Sequence, residues 1–510
     1  MFNFEEATLN QIQAAFDSGE LTSFDLTAWY LERIADIDKS GPCLNSVLEI
    51  NPEALFIAEA MDRERKLKGK RGILHGVPVM VKDSINTHDK MHTSAGSLAL
   101  ADNFAPYDAT VVKKLRQAGA VILGKTNMTE FANYMTKAMK NGYSSRGGQV
   151  LCPYNPDGNA WGSSTGSAVA VSANLCAVAL GTETNGSVIW PSHNNGVVGI
   201  KPTLGSVSRY GVIPISTAQD TVGVIARTVE DAAALLGVIA GYDENDAITW
   251  SRDDQIFENY TQFLDKNGLA GLRIGVNKGT YDELTEEQKL LADKAYDVIA
   301  NCGAELVPGF DLPRLRCDRE ILFYEFKQSL NAYISTCSPA LKVKSLKDII
   351  DSNNNRPDIA LKYGQSILLD VEHKTSGTLT EAEYLRNRVS YLKKSRDNGV
   401  DKLMNEDNVD IYVTPGISDA SPISGYPSIV VPIGFTSDNM PFGLTFVGRA
   451  FFEPLLIKAA YAFEQAMQGR RAPVFKKASD ESTMTNCQQP PLWAATAVNK
   501  INYNKQVEMH

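Results

Sequence analysis

Apolar residues recur along this chain with two periods, and the alternation between them predicts the architecture. From Leu9 to about Asp38 the spacing is helical and predicts two helices, the second opened by Ser23 as N-cap and carrying Leu26, Trp29, Tyr30, Ile34 and Ile37 on one side. Val77 to Val81 is a short unbroken apolar run of the kind a buried strand needs. After it come a helix opened by Asp108 with Val111, Val112 and Leu115 on one face, a strand at Ala120-Val-Ile-Leu-Gly, a helix around Ser167 to Ala173 and a strand from Cys176 to Leu180. Such strand, helix, strand repetition predicts an α/β layer with a largely parallel sheet, in which chemically active groups collect at the carboxyl ends of strands. Helices are also expected over Val229 to Gly241 and Glu286 to Ala300, and strands over Leu272 to Val276 and Asp410 to Val413.

The organisation expected from this pattern is an N-terminal helical layer over residues 1–65, packed on a core over 66–240. Residues 241–474 continue the same α/β domain with a helical insertion near 310–400, and 475–510 form a polar tail containing Gln488-Gln-Pro-Pro. The basic run Arg63 to Arg71 reads as a solvated face.

Composition narrows the classes. With 510 residues, 43% apolar and 22% charged, the chain has the balance of a folded globular protein. The excess of 60 acidic over 50 basic side chains, a net −10, offers no broad footprint for a polyanion, so nucleic acid is not expected as a partner. Met1-Phe-Asn-Phe-Glu-Glu lacks the basic and apolar regions of a signal peptide, and no stretch approaches the ~18 apolar residues of a spanning helix. The expectation is a cytoplasmic protein with no membrane anchor. Seven scattered cysteines without a C-x-x-C pair are expected as reduced thiols. His88 and His92 stand four apart but lack the H-E-x-x-H pattern, and neither a metal nor a cofactor is expected.

Candidate chemistry concentrates in two loops. Gly162-Ser163-Ser164-Thr165-Gly166-Ser167 is a run of small residues entering a helix, whose N–H groups and hydroxyls can converge on an oxyanion. Gly181-Thr-Glu-Thr-Asn-Gly-Ser187 follows an apolar strand and sets Ser187 just past its end, with backbone donors ahead of it, as a nucleophile beside an oxyanion hole requires. A serine needs a base. Among the histidines His75, His88, His92, His193, His373 and His510, each suits a structural role, whereas Lys82 closes the strand Val77 to Val81 and can act as a base if burial lowers its pKa. The same small-residue loop also matches G-x-S-x-G, which would make Ser164 an esterase-type nucleophile with a later His373, although loop text and not a strand precedes it.

Several motifs appear together in order: Leu74-His75-Gly-Val-Pro-Val-Met-Val-Lys82-Asp83, Gly124-Lys-Thr-Asn127-Met-Thr-Glu130-Phe-Ala, Ser145-Arg-Gly-Gly-Gln149, the two loops above, and Gly199-Ile-Lys-Pro-Thr-Leu-Gly-Ser-Val-Ser-Arg-Tyr-Gly211. The set closely resembles the amidase signature family, densely over residues 70 to 240 and more weakly through Gly425–Gly434 and Pro441–Arg449. The resemblance implies one large α/β domain, a mixed and largely parallel sheet covered by helices on both faces, and an amide-cleaving serine enzyme of small-molecule or peptide amides; the chain is expected as a monomer or homodimer, a choice the sequence does not make. The resemblance further implies a triad of Ser187 as nucleophile, Ser163 as cis bridging serine and Lys82 as base, with the backbone N–H groups of Thr184, Asn185, Gly186 and Ser187 holding the oxyanion.

Departures from the family pattern refine this. Ile189 stands where an Arg is usual, which moves the chain from the tRNA-dependent glutaminase subunits toward a peptide-amidase-like branch, as does Val212-Ile-Pro-Ile-Ser216 followed by Gln219-Asp220-Thr221. Asn185 and Trp161 each replace a usual Gly. Trp161 and Trp190 are expected to line a substrate pocket, while a Trp161 backbone unable to take a glycine-like conformation would misplace Ser163 and leave a non-catalytic amide binder.

Overall fold

Hydroxyl caps set the helix ends of the N-terminal layer. Thr8 opens α1 (Leu9–Ser18) by accepting the Gln11 N–H while the Gln11 side chain returns to the Thr8 N–H, and Gly19, at φ 76°, closes it. In α2 (Ser23–Arg33) the N-cap is Thr22 and not Ser23. Ser23 is the first helical residue, and its hydroxyl donates to the Gly76 carbonyl at 2.6 Å, which pins α2 to the turn before the first buried strand. The segment before α3 (Ala54–Lys68) holds a strand, β1 (Val47–Ile50), that the helical reading of residues 1–65 lacks. Asp108 does not cap α4 (Thr110–Gln117), which starts after Ala109; its carboxylate takes the His88 N–H at 2.7 Å and pairs with Arg116.

This computed structural model describes residues 2–250, 255–310 and 318–475, so the expected tail lies, from residue 476 on, outside the described residues. Eleven strands form one mixed sheet: β1, β2 (Pro78–Lys82), β3 (Val121–Thr126), β4 (Val178–Glu183), β5 (Val198–Lys201), β6 (Thr221–Ala226), β7 (Arg273–Asn277), β8 (Glu305–Phe310), β9 (Ile411–Pro415), β10 (Ser428–Phe435) and β11 (Pro441–Val447), in the order β1-β3-β2-β4-β6-β5-β10-β11-β9-β7-β8. Parallel pairing joins β3, β2 and β4 at one end and β9, β7 and β8 at the other. The pairs from β4 through β6, β5, β10 and β11 to β9 are antiparallel. The parallel strands β2, β3, β4 and β9 are legible as apolar runs because both their faces are covered, whereas β8, largely exposed at the sheet edge, is not.

Two central strands carry glycine where a helix comes close. α5 (Thr165–Ser172) and α6 (Ile189–Asn194) pack on this face: a Cβ at Gly181 would lie 2.7 Å from the Ser164 Oγ just before α5, and one at Gly199 2.4 Å from the Ser192 Oγ on α6. A second layer holds α4, α7 (Val229–Ile239) and α8 (Glu286–Asn301). Four further helices, α9 (Asp318–Thr336), α10 (Leu346–Asn354), α11 (Ser366–Lys374) and α12 (Ala382–Ser395), pack on one another. Phe326, Leu330, Leu346 and Leu368 from this block share an apolar core with Met128, Phe131 and Ile215. α13 (Glu453–Met467) closes the second layer against α7 and α8.

Cys152, Cys176, Cys302 and Cys337 are free thiols, whereas Cys43 is disulfide-bonded, which corrects the expectation of reduced cysteines throughout. Among the described residues no helix is long and apolar enough to cross a membrane.

α5 can lie this deep because its first turn carries Gly166, where a Cβ would stand 2.3 Å from the carbonyl oxygens of both Asn127 and Ser46. Neither backbone can retreat, so Gly166→Ala is expected to cost about 3 kcal/mol or more, read as a lowered midpoint in urea unfolding.

Candidate active site

β2 ends at Lys82 beside Gly181 and Thr182 of the parallel neighbour β4, and the two strand ends bring the candidate loops together. Lys82 is fully buried. Its Nζ lies 2.7 Å from Ser163 Oγ, 3.0 Å from Ser164 Oγ, and 2.9 and 3.1 Å from the hydroxyl and carbonyl of Thr182. The hydrogens can be assigned from this set. Ser164 spends its single proton on the Thr182 carbonyl at 3.0 Å, so it only accepts from Lys82, as the carbonyl does. With those two acceptors on its hydrogens, a neutral amine keeps one lone pair facing two hydroxyls, that of Ser163 at 2.7 Å and that of Thr182 at 2.9 Å, of which Ser163 is the nearer.

Burial draws Lys82 down to about 7, and the carboxylates of Glu183 and Asp220 pull weakly the other way. Neither carboxylate touches the amine. Glu183 accepts the N–H groups of Val188 and Ile189 at 2.7 and 3.0 Å, the free donors at the start of α6. Asp220 accepts the Thr184 hydroxyl at 2.5 Å and is itself pushed up to about 6 by burial.

The bond between Gly162 and Ser163 is cis, and Ser163 is fully buried with its carbonyl on the Thr129 N–H at 3.1 Å. Ser187 sits in the turn from β4 to α6, is 6% exposed, and accepts the Ser164 N–H on its carbonyl at 3.0 Å, which holds the two loops side by side. The N–H groups of Gly186 and Ser187 donate to no acceptor among the described residues. The left-handed residue of this loop is Gly186, at φ 79°, and not Asn185, so asparagine at 185 needs no glycine-like backbone.

Trp161 does adopt the glycine-like conformation, with φ 54°. Its N–H donates to the Asn159 side chain at 2.8 Å, its carbonyl accepts the Thr165 hydroxyl, and its indole stacks on Trp190 at 4.2 Å between centroids and 8° between planes. These contacts hold a conformation that costs a side-chain-bearing residue about 1–2 kcal/mol. Behind Trp190, His193 accepts the Gly443 N–H at 3.0 Å and is drawn down to about 4 by burial, so it stays neutral at neutral pH.

A cleft of about 650 Å³ opens above Ser187. Its floor is Trp161, Gly162, Thr184, Asn185, Ser187 and Trp190; Tyr134, Met139 and Ile215 form part of the wall. Leu322 and Phe323 of α9 and Ile367 of α11 extend that wall, and the Lys137–Asp370 pair, 3.7 Å apart, marks the rim.

The other predicted residues lie elsewhere or are committed to other contacts. His373 is exposed at the end of α11, while Ser164 is fully buried and hydrogen-bonded as above, so the two make no catalytic pair. His75 faces the Met61 carbonyl, His88 the Ala105 carbonyl and His92 the Glu49 carboxylate; His510 lies outside the described residues. Among the described residues no group of three or more His, Cys, Asp or Glu side chains can hold a metal. Sequence reasoning did not single out Glu183 or Asp220 as parts of the site. The available signal was an acidic residue amid small or apolar neighbours, Glu183 inside the 181–187 loop and Asp220 just before β6.

The family model for amidases matches residues 25–457. The chain belongs to the amidase family. It is 42% identical over 489 residues to a probable amidase of Arabidopsis thaliana, covering 93% of this chain and 92% of that one. The X-ray structure of native peptide amidase from Stenotrophomonas maltophilia, 42% identical, superposes with a TM-score of 0.89 over 94% of this chain and 100% of that chain. A glutamyl-tRNA(Gln) amidotransferase subunit from Thermosynechococcus vestitus is 32% identical over 88% of this chain and 95% of its own. As an amidase, the chain is a hydrolase of amide C–N bonds.

The titration of Lys82 generates a pH dependence for this amidase. With Lys82 as the base, an amine drawn down to about 7 would be neutral and able to take a proton above that pH and protonated below it. kcat/KM on an amide is therefore expected to fall tenfold per pH unit below about 7 and to level off above it, with protonation of Asp220 near 6 steepening the acid limb. A rate profile flat from pH 5 to 8 would exclude Lys82 as the base.

Proposed function

We propose that this amidase cleaves linear carboxamides, of the peptide C-terminal or aryl and alkyl type, through an acyl-enzyme on Ser187. The observation that carries the reading is the buried Lys82 amine, drawn down to about 7 and 2.7 Å from Ser163 Oγ, beneath a cleft that has Ser187 in its floor. Neutral Lys82 takes the proton of Ser163 as Ser163 takes that of Ser187, and the Ser187 oxygen attacks the amide carbon. Backbone N–H groups of Thr184 to Ser187 receive the oxyanion, each worth on the order of 10²–10³ in rate. The relay run backwards delivers a proton to the nitrogen as the C–N bond breaks and ammonia or amine leaves. Water activated by the same relay then attacks the acyl carbon and restores the Ser187 hydroxyl.

The stacked indoles beside Ser187 favour a flat acyl group, with Met139, Ile215, Leu322, Phe323 and Ile367 as apolar neighbours and Asn133, Thr136 and Asn141 as polar partners for amide groups of the substrate. Similarity to a peptide amidase supports C-terminal carboxamides of peptides within that class.

Ser187→Ala is expected to abolish release of ammonia from N-acetyl-phenylalanine amide, and Lys82→Ala to lower it by at least about 10³-fold. A fluorophosphonate is expected to label Ser187 alone by peptide mapping; undiminished turnover in Ser187→Ala, or an adduct on Ser164, overturns the assignment. Trp190→Ala, which removes one stacked ring and leaves the Trp161 backbone in place, is expected to raise KM for this aromatic amide about tenfold and to change KM for acetamide little.

A further inference from the structure

Helices α9 and α12 supply no member of the triad, yet a buried carboxylate on α9 is wired to the loop that carries the oxyanion donors. Glu325 is fully buried. Its Oε2 accepts the Ser216 hydroxyl at 2.5 Å and the Ala218 N–H at 3.0 Å. Its Oε1 accepts the Tyr384 hydroxyl of α12 at 2.9 Å, with the Arg388 guanidinium 3.7 Å away. One donor and the nearby guanidinium lie on α12 and two donors on the 215–220 turn, so the carboxylate clamps one to the other.

The turn passes the constraint on. The Asp220 Oδ2 accepts the N–H groups of Ile215 and Ser216 at 2.7 and 2.8 Å, closing the turn on itself. Its Oδ1 accepts the Thr184 hydroxyl at 2.5 Å, and the Gln219 amide donates to the Thr184 carbonyl at 3.0 Å. Carbonyl and N–H point in opposite directions across a trans peptide, so holding the Thr184 oxygen toward Gln219 turns the Asn185 N–H away from it. The 215–220 turn also brings Ile215 to the cleft wall. A shift of this turn therefore moves donors and wall together.

We propose that Glu325 is a positioning residue: acting through the 215–220 turn, it sets the Thr184–Ser187 loop, so that the α9–α12 block governs the strength of the oxyanion hole. The inference rests on the reading of Ser187 and its loop proposed above. A carboxylate that acted only as filler would be cheaper as an apolar side chain, since each buried charge carries a desolvation cost. Its three hydrogen-bond donors and the Arg388 guanidinium instead join two separate elements of the site's surroundings.

The test compares Glu325→Ala, Glu325→Gln, Ser216→Ala and Ser187→Ala in the full chain. Two readouts are used: hydrolysis of N-acetyl-phenylalanine amide, and inhibition by N-acetyl-phenylalaninal, whose aldehyde carbon bonds to the serine oxygen and places its own oxygen in the oxyanion hole. Glu325→Ala is expected to lower kcat about 10–100-fold with KM changed less than about twofold, and to raise the aldehyde Ki by the same factor as kcat falls. Glu325→Gln is expected to restore most of both, because its amide oxygen still accepts from Ser216 and Ala218 while its NH₂ donates to the Tyr384 oxygen. A folded Glu325→Ala with unchanged kcat, or with a loss confined to KM and an unchanged aldehyde Ki, overturns the proposal. If Glu325→Ala does not fold, Ser216→Ala decides: a severalfold loss in kcat with a matching rise in Ki supports the clamp, and wild-type values overturn it. An active Ser187→Ala removes the underlying reading, whereas an inactive Ser187→Ala beside an unaffected Glu325→Ala overturns the clamp alone.

Discussion

A lysine amine sealed at the end of a central strand, with hydroxyls and a carbonyl around it and no carboxylate in contact among the described residues, loses more hydration than its neighbours return. The proton is what gives way. Desolvation of a fully buried ammonium is worth several pKa units, and the distant carboxylates of Glu183 and Asp220 return only part of it, which brings Lys82 down to about 7. The surrounding structure meets the demands of that amine. β3 and β4 flank its strand, Thr182 and Ser164 take its hydrogens, and the close approach of α5 at Gly166 and Gly181 brings Ser163 into reach.

The cleft is built from sequence-distant parts that meet around Ser187. The Trp161–Trp190 stack and the walls from α9 and α11 flank Ser187, and a hydrogen bond beside such low-dielectric groups is stronger than one in bulk water. The left-handed backbone at Trp161 belongs to the same construction. Asn159 and Thr165 hold its peptide groups while the indole finds a partner, so the cost of the conformation is offset locally. Trp161 thus keeps the backbone that a glycine would supply and adds an aromatic surface beside the nucleophile loop.

Local text was informative where one strand or one loop contained the whole signal. The apolar runs ending at Lys82 and leading to Ser187 are buried strands in the structure, and Ser163, which the motif context proposed as their bridge, lies 2.7 Å from the Lys82 amine. Misreadings came where two neighbouring residues could play the same part. Thr22 and Ser23 are both able caps, and the choice depends on the Gly76 carbonyl, 53 residues away in sequence, which takes the Ser23 hydroxyl. Asn185 drew attention as the replaced glycine, while the turn places its positive φ on Gly186. β1 was invisible because four residues at a sheet edge carry too little pattern to compete with the helices on either side.

The sequence by itself determined the α/β character, the two small-residue loops at strand ends and the identity of the nucleophile, bridge and base candidates, because these are properties of short segments and of motif order. It could not determine that Lys82 loses its counter-charge, that Trp161 meets Trp190, or that Glu325 joins α12 to the 215–220 turn. Each of those is a contact or a burial produced by residues brought together from separate elements. A side chain's desolvation and the direction of a peptide N–H exist only once strands, loops and helices have been packed around them. The residue types were therefore legible in one dimension, and their environments were decided in three.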